Sequence, residues 1–132
     1  MSRLFNVEVF NRTISGGATK DAFGKAYHSG EDSYGLLGSA DGVKVQVIVD
    51  AVAEGDTQVK VEIETTNAPQ EETWVAIGGK GSLTLIDDAK DAPVMDFSKY
   101  ILPEDVGAYV RFRVSADRGG ATVRVIAAGW GK

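Results

Sequence analysis

The sequence predicts an all-β fold: an antiparallel β-sandwich of about eight strands, jelly-roll-like by preference, with an immunoglobulin-like sandwich as the alternative. Three observations lead there. Apolar and polar residues alternate with a period of two over most of the length, as half-buried strands require. Gly, Asp and Asn clusters punctuate the alternating runs at short intervals. No segment carries a sustained helical stripe. The 132 residues are read as one domain, 1–132, with a long loop or arm at about 15–42.

Taken in order, residues 4–10 place Phe5, Val7 and Val9 on one face of a first strand. Residues 15–42 are rich in Gly and Ser and read as irregular, with a short strand at Ser33–Leu37. Loops longer than about 12–15 residues in a compact domain are usually functional or mobile. Residues 43–53 set Val43, Val45, Val47, Val49, Ala51 and Ala53 on one face, and Glu54-Gly55-Asp56 is turn chemistry. Residues 57–65 follow, with Val59, Val61 and Ile63 inward and Gln58, Lys60, Glu62 and Glu64 outward as surface charges and polar groups. The two runs read as a hairpin.

Shorter strands are expected at 72–77, carrying Trp74, Val75 and Ile77, and at 82–86, with Gly78-Gly79-Lys80-Gly81 between them as a hairpin turn. Residues 93–97 and 99–101 read as edge pieces, and Pro103 could open a single helical turn. A last pair closes the chain. Residues 108–115 place Val110, Phe112 and Val114 inward, Asp117-Arg118-Gly119-Gly120 is the turn, and 121–128 return as a strand.

The composition excludes several chemistries. With no cysteine there is no disulfide framework, and a single histidine, His28, rules out a His-rich zinc site. Fourteen Lys and Arg against nineteen Asp and Glu give a net charge of −5, which argues against broad binding to nucleic-acid phosphates. No run approaches the ~18 apolar residues of a membrane span, and the start lacks the apolar core of a signal peptide. No nucleic-acid and no membrane partner is expected.

No catalytic signature stands out, and an enzyme is not expected. His28 lies in Ala-Tyr-His-Ser-Gly without a nucleophile elbow, so a packing or surface role is the simpler account. Asp87, Asp88 and Asp91 could hold a hard cation, but their spacing is not that of a calcium loop, and a solvated acidic loop fits better. No metal and no cofactor are assigned.

Charge layout and aromatics point to contacts instead. Residues 87–105 hold six acids and two lysines, whereas 111–124 hold four arginines and one acid. Arg111, Arg113 and Arg124 are expected to share the sheet face opposite Phe112. They either pair with Glu62 and Glu64 across strands or meet an acidic edge on another subunit. Trp130, near the C-terminal end, either folds back on the sheet or anchors a neighbour. Trp130, Tyr27 and Tyr34 are also the aromatics a glycan would stack on, so the interface candidates are Arg111, Arg113, Arg124, Trp130, Tyr27 and Tyr34.

Val61-Glu62-Ile63-Glu64-Thr65-Thr66-Asn67, a polar turn, and Thr73-Trp74-Val75-Ala76-Ile77-Gly78 together resemble a recurring piece of small jelly-roll structural proteins of phage particles. Ala108–Val114 and Ala121–Val125 are similar to the closing strands of the same proteins. The resemblance covers about residues 43–130 and brings no catalytic residues. It implies a decoration, minor capsid or tail-associated protein, located in the virion after synthesis in the host cytoplasm. Its partners would be copies of itself, as a homo-oligomer, or other virion proteins. A carbohydrate-binding module or receptor-binding domain, with a glycan as ligand, is the alternative.

Overall fold

The computed structural model describes residues 2–15, 20–24, 26–28, 42–52, 57–77, 84–86, 94–100, 106–117 and 120–131. Ten strands appear among them: β1 (Ser2–Ser15), β2 (Lys20–Phe23), β3 (Tyr27–His28), β4 (Gly42–Val52), β5 (Val59–Thr66), β6 (Val75–Ala76), β7 (Thr84–Ile86), β8 (Val94–Tyr100), β9 (Tyr109–Ala116) and β10 (Gly120–Gly131). They form one four-stranded sheet in the order β1-β10-β4-β8 and one six-stranded sheet built on β2-β9-β5-β6. In the second sheet β3 also pairs with β9, and β7 also pairs with β5.

The ten strands occupy eight positions. β2 and β3 lie in succession along the same edge of β9, opposite residues 116–113 and 110–109. β6 and β7 lie in succession along β5, opposite 65–64 and 61–59. Counted this way, the first position pairs with the eighth, the second with the seventh, the third with the sixth and the fourth with the fifth, all antiparallel. That nesting is a long hairpin rolled over on itself, the jelly-roll order. The expected fold class is therefore the observed one.

The pairing corrects both hairpins. β4 and β5 lie in different sheets, and so do β9 and β10. The chain therefore crosses from one layer to the other between β4 and β5, and again between β9 and β10. Alternation cannot separate a hairpin from an arch, because both bury every second residue; the difference lies in distant partners. β9 sits between β2 and β5, and β10 between β1 and β4, so each is central in its own sheet. The turn at 117–120 is present: the Gly120 N–H donates to the Asp117 carbonyl at 3.0 Å, and Gly120 has φ 90°, where a side chain would be strained. The Asp117 carboxylate accepts from the Gln58 N–H at 2.8 Å, tying this arch to the start of β5.

Gly78–Gly81, expected as a hairpin turn, lies outside the described residues, but the strands on either side of it are not arranged as hairpin arms. β6 and β7 are both antiparallel to β5, so the chain resumes in the same direction after this stretch. The region 15–42 contains strands β2 and β3, while Ser33–Leu37, Pro103 and Asp87, Asp88 and Asp91 lie outside the described residues. The two pieces expected near 93–101 are one strand, β8.

Two bulges adjust the predicted faces. Between β4 and β10 the register shifts, so that Thr122 faces Ala51 while Val123 faces Val49, and Asp50 is the extra residue. The shift turns Ala51 outward and brings Val52 against the core, contrary to the uninterrupted stripe expected through Ala53. In β1 the shift between Glu8 and Phe10 lets both Val9 and Phe10 be buried. The core between the layers joins Val43, Val45, Val47, Val59, Val61, Ile63, Val110, Phe112, Val114, Val123 and Val125, all fully buried. At about 1.5–3 kcal/mol for each fully buried aliphatic side chain, this interleaved layer is the main source of stability.

Candidate protein interface

The outer face of the six-stranded sheet is built by the residues that alternate with the core. On β5 these are Glu62 and Glu64, and on β9 Arg111 and Arg113. Register places Glu62 opposite Arg113 and Glu64 opposite Arg111. Arg111 Nε donates to Glu64 Oε1 at 2.9 Å, Arg113 Nη2 donates to Glu62 Oε1 at 3.4 Å, and Arg113 Nη1 lies 3.6 Å from Glu64 Oε2. Of the two arrangements open to these arginines, the cross-strand ladder is the one formed.

The glutamates are not the solvated surface charges expected of an outer strand face. Glu62 is 8% and Glu64 5% exposed. Arg111, which pairs with Glu64, is itself stacked on from both flanks. Phe23, opposite Arg113 on β2, brings its ring to 3.9 Å from the Arg111 guanidinium carbon, and Trp74, just before β6, brings its ring to 4.2 Å. A guanidinium is weakly hydrated and stacks on aromatic faces while its edge donates to carboxylates, so it joins the two aromatics to the ladder below. Phe23 remains 42% exposed. The face is thus an aromatic–arginine surface over desolvated carboxylates.

Beside it, the end of β5 and the 106–107 segment enclose an open groove of ≈ 570 Å³ lined by Thr65, Thr66, Asn67, Thr73, Val75 and Val106, among others. Its polar atoms are engaged internally. Thr65 Oγ1 donates to the Tyr109 carbonyl at 2.9 Å and accepts from the Gly107 N–H at 2.7 Å. Asn67 Oδ1 accepts from the Ala108 N–H at 2.9 Å, and the Thr66 and Thr73 hydroxyls pair at 2.7 Å. The Thr-Thr-Asn turn is therefore a structural clasp that fixes the entry to β9.

Arg124 does not share the face of Arg111 and Arg113. It belongs to β10, on the outer side of the other sheet, where it makes a two-pronged contact with Asp50 at 2.8 and 2.9 Å. The bulge that singles out Asp50 is what presents it there. The hydrogen bonds from Arg124, opposed by desolvation and aided by its charge, hold the Asp50 carboxyl below the usual carboxylate range. A depressed folded-state pKa means that this contact's stabilisation is present above the unfolded-state value and lost as pH falls through the folded one. Followed by NMR, the Asp50 carboxyl is expected to titrate below an ordinary aspartate and to return to the normal range in Arg124→Gln; a normal titration in the unaltered chain would refute the contact.

Trp130 folds back on the sheet. It faces Gly42 in register, and a Cβ at Gly42 would collide with its ring. Tyr27 and His28 pair through their backbones with Val110 and Tyr109, and Tyr34 lies outside the described residues. Trp74 and Trp130 thus each meet a neighbour within the chain, Arg111 and Gly42. Among the described residues there is no group of three or more His, Cys, Asp or Glu that could hold a metal ion, and no helix long and apolar enough to cross a membrane.

Two partners escaped the sequence. Phe23 falls in the Gly/Ser-rich stretch, where Lys20-Asp21-Ala22-Phe23 shows no period of two and so gives no strand signal. Asp50 read as a plain outward residue, because a bulge leaves no mark in the alternation until the partner strand is known.

No family model matches the chain, and no curated protein matches it in sequence. Among solved structures the chain is similar to one from the Israel acute paralysis virus pentamer, at 10% identity and a TM-score of 0.43 over 97% of this chain and 68% of the other. It is similar to one of Desmodium yellow mottle tymovirus at 12% identity and a TM-score of 0.37, over 98% and 86%. A third similarity is to a chain of infectious bursal disease virus strain Gx, at 11% identity and a TM-score of 0.34, over 98% and 30%.

Proposed function

We propose that this chain is a structural subunit of a virus particle, of the phage decoration, minor capsid or tail-associated kind, acting through contacts with copies of itself or with other virion proteins and not through catalysis. The observation that carries the contact role is the outer face of the six-stranded sheet, where Phe23, Trp74 and Arg111 form a partly exposed cluster over buried Glu64. Aromatic residues and arginine are the types enriched in interface cores, and a cluster whose charges are already internally neutralised is covered by a partner at little desolvation cost. The setting in a particle rests on the resemblance of residues 43–130.

Light scattering and electron microscopy of the purified chain test this reading. Discrete assemblies, or binding to particles that lack the protein, are expected. A strict monomer that binds no particle would overturn it.

A further inference from the structure

The open groove at the end of β5 carries polar groups that its internal clasp does not use up. Part of the clasp is a closed circuit. The Ala68 N–H donates to Thr66 Oγ1 at 3.1 Å, the Thr66 and Thr73 hydroxyls pair at 2.7 Å, and Thr73 Oγ1 donates to the Ala68 carbonyl at 3.3 Å. In that order Thr66 gives its proton to Thr73, and each hydroxyl keeps one acceptor lone pair. Asn67 Oδ1 accepts from the Ala108 N–H at 2.9 Å. Only the oxygen of a carboxamide can meet that donor, so the orientation of the amide is set. Both protons on Asn67 Nδ2 are left without an acceptor among the described residues.

The groove is also rigid. A Cβ at Gly107 would lie 2.8 Å from Asn67 Oδ1 and 3.0 Å from the Thr66 carbonyl oxygen, so a side chain there would push the 106–107 segment off the turn. Its polar atoms are thus held in place before a ligand arrives, which lowers the cost of binding. Val75, 58% exposed, adds an apolar contact. None of the residues lining the groove is charged, and Glu71 and Glu72 stand exposed in the loop between Ala68 and Thr73.

We infer that this groove is a binding site for a neutral sugar, presented as the end of a glycan. A sugar joins hydroxyls that donate and accept to an apolar C–H face, and the groove offers unused donors, unused acceptors and an exposed valine. Its ≈ 570 Å³ lies within the ~300–1,000 Å³ of small-ligand sites. An acidic sugar would bring an anion to an uncharged groove beside two glutamates, which is unfavourable. An added peptide strand fits less well, because it needs free main-chain donors. Here the Ala68, Gly107 and Ala108 N–H groups are spent on Thr66, Thr65 and Asn67. The groove shares no residue with the Phe23–Arg111–Trp74 cluster, so the site stands whether or not that cluster serves assembly.

The test is an NMR titration of the isotope-labelled full chain with lactose, maltose, cellobiose and di-N-acetylchitobiose. At least one of them is expected to shift the Asn67 Nδ2 protons and the methyl signals of Thr66, Thr73 and Val75, and glucuronic acid should not. Asn67→Asp keeps an oxygen for the Ala108 N–H and removes both donors, so it should weaken binding of that sugar about 3–10-fold. Val75→Ser, at an exposed position, should weaken it as well, and it carries the test alone if Asn67→Asp fails to fold. Lys44→Gln, on the other sheet, should bind as the unaltered chain does. If none of the four sugars moves these signals, or if both variants bind with unchanged affinity, the site is overturned. It is equally overturned if the neutral peptide acetyl-Gly-Ala-Gly-amide moves them where the sugars do not, since the groove would then take a protein segment.

Discussion

Val47→Asp is expected to abolish the folded state. Val47 is fully buried in the middle of β4, between Val125 on β10 and Met95 on β8. The surrounding cluster consists of valine, isoleucine, phenylalanine and alanine side chains, so it offers a carboxylate no charge partner. The effective penalty for a buried, unpaired ion is several kcal/mol even after relaxation, and the loss of apolar packing adds to it. Domains of this size have total stabilities of about 5–15 kcal/mol. Protonating the new carboxyl relieves part of the cost but still leaves a polar group in an apolar layer. Circular dichroism with urea titration should show no cooperative transition at neutral pH. Lys44→Gln, three residues away on the exposed face, should change stability by no more than about 0.5 kcal/mol. A cooperative transition for Val47→Asp within about 1 kcal/mol of the unaltered chain would contradict the placement of β4 in the core.

How much of this could be read beforehand follows from what alternation encodes. The inward residues of β5, β9 and β10 were legible because a period of two needs only local sequence. So was the all-β class, and so was the Asp117–Gly120 turn, since Gly120 sits where φ is positive. Sheet membership was not legible. Val59 pairs with Ala116 and Val123 with Arg12, and nothing in the turns before β5 and β10 announces partners so distant. The same gap explains the arginines. Arg111, Arg113 and Arg124 have the same outward phase in sequence, yet arches between the layers send Arg124 to the opposite side of the molecule. Glu64 reads as a surface charge because its partner Arg111 is stacked on by Phe23 and Trp74, which arrive from segments whose position beside it is a tertiary fact.

Arg113→Glu separates folding from assembly, and the structure now favours a loss of stability. In the unaltered chain the Arg113 guanidinium lies between two carboxylates, 3.4 Å from Glu62 and 3.6 Å from Glu64, each under 9% exposed. Reversing the charge removes that compensation and adds a third carboxylate to the cluster, leaving Arg111 as the cation the ladder retains. Removing one partner of a fully buried pair costs about 3–5 kcal/mol, but Arg113 is itself 32% exposed, and solvent screening reduces the effect to about 2–4 kcal/mol. Urea denaturation at low salt should show this loss, and moderate salt should recover part of it. Combining Arg113→Glu with Glu62→Arg restores an opposite-charge pair in the same register, so the double variant should regain stability beyond the sum of the two single changes, with a coupling of about 0.5–3 kcal/mol. If Arg113→Glu instead unfolds at the same urea concentration as the unaltered chain while its assemblies disappear, the guanidinium serves a neighbouring subunit in solution. The ladder would then contribute little to folding, and the acidic edge that Arg113 meets would have to be sought on that neighbour.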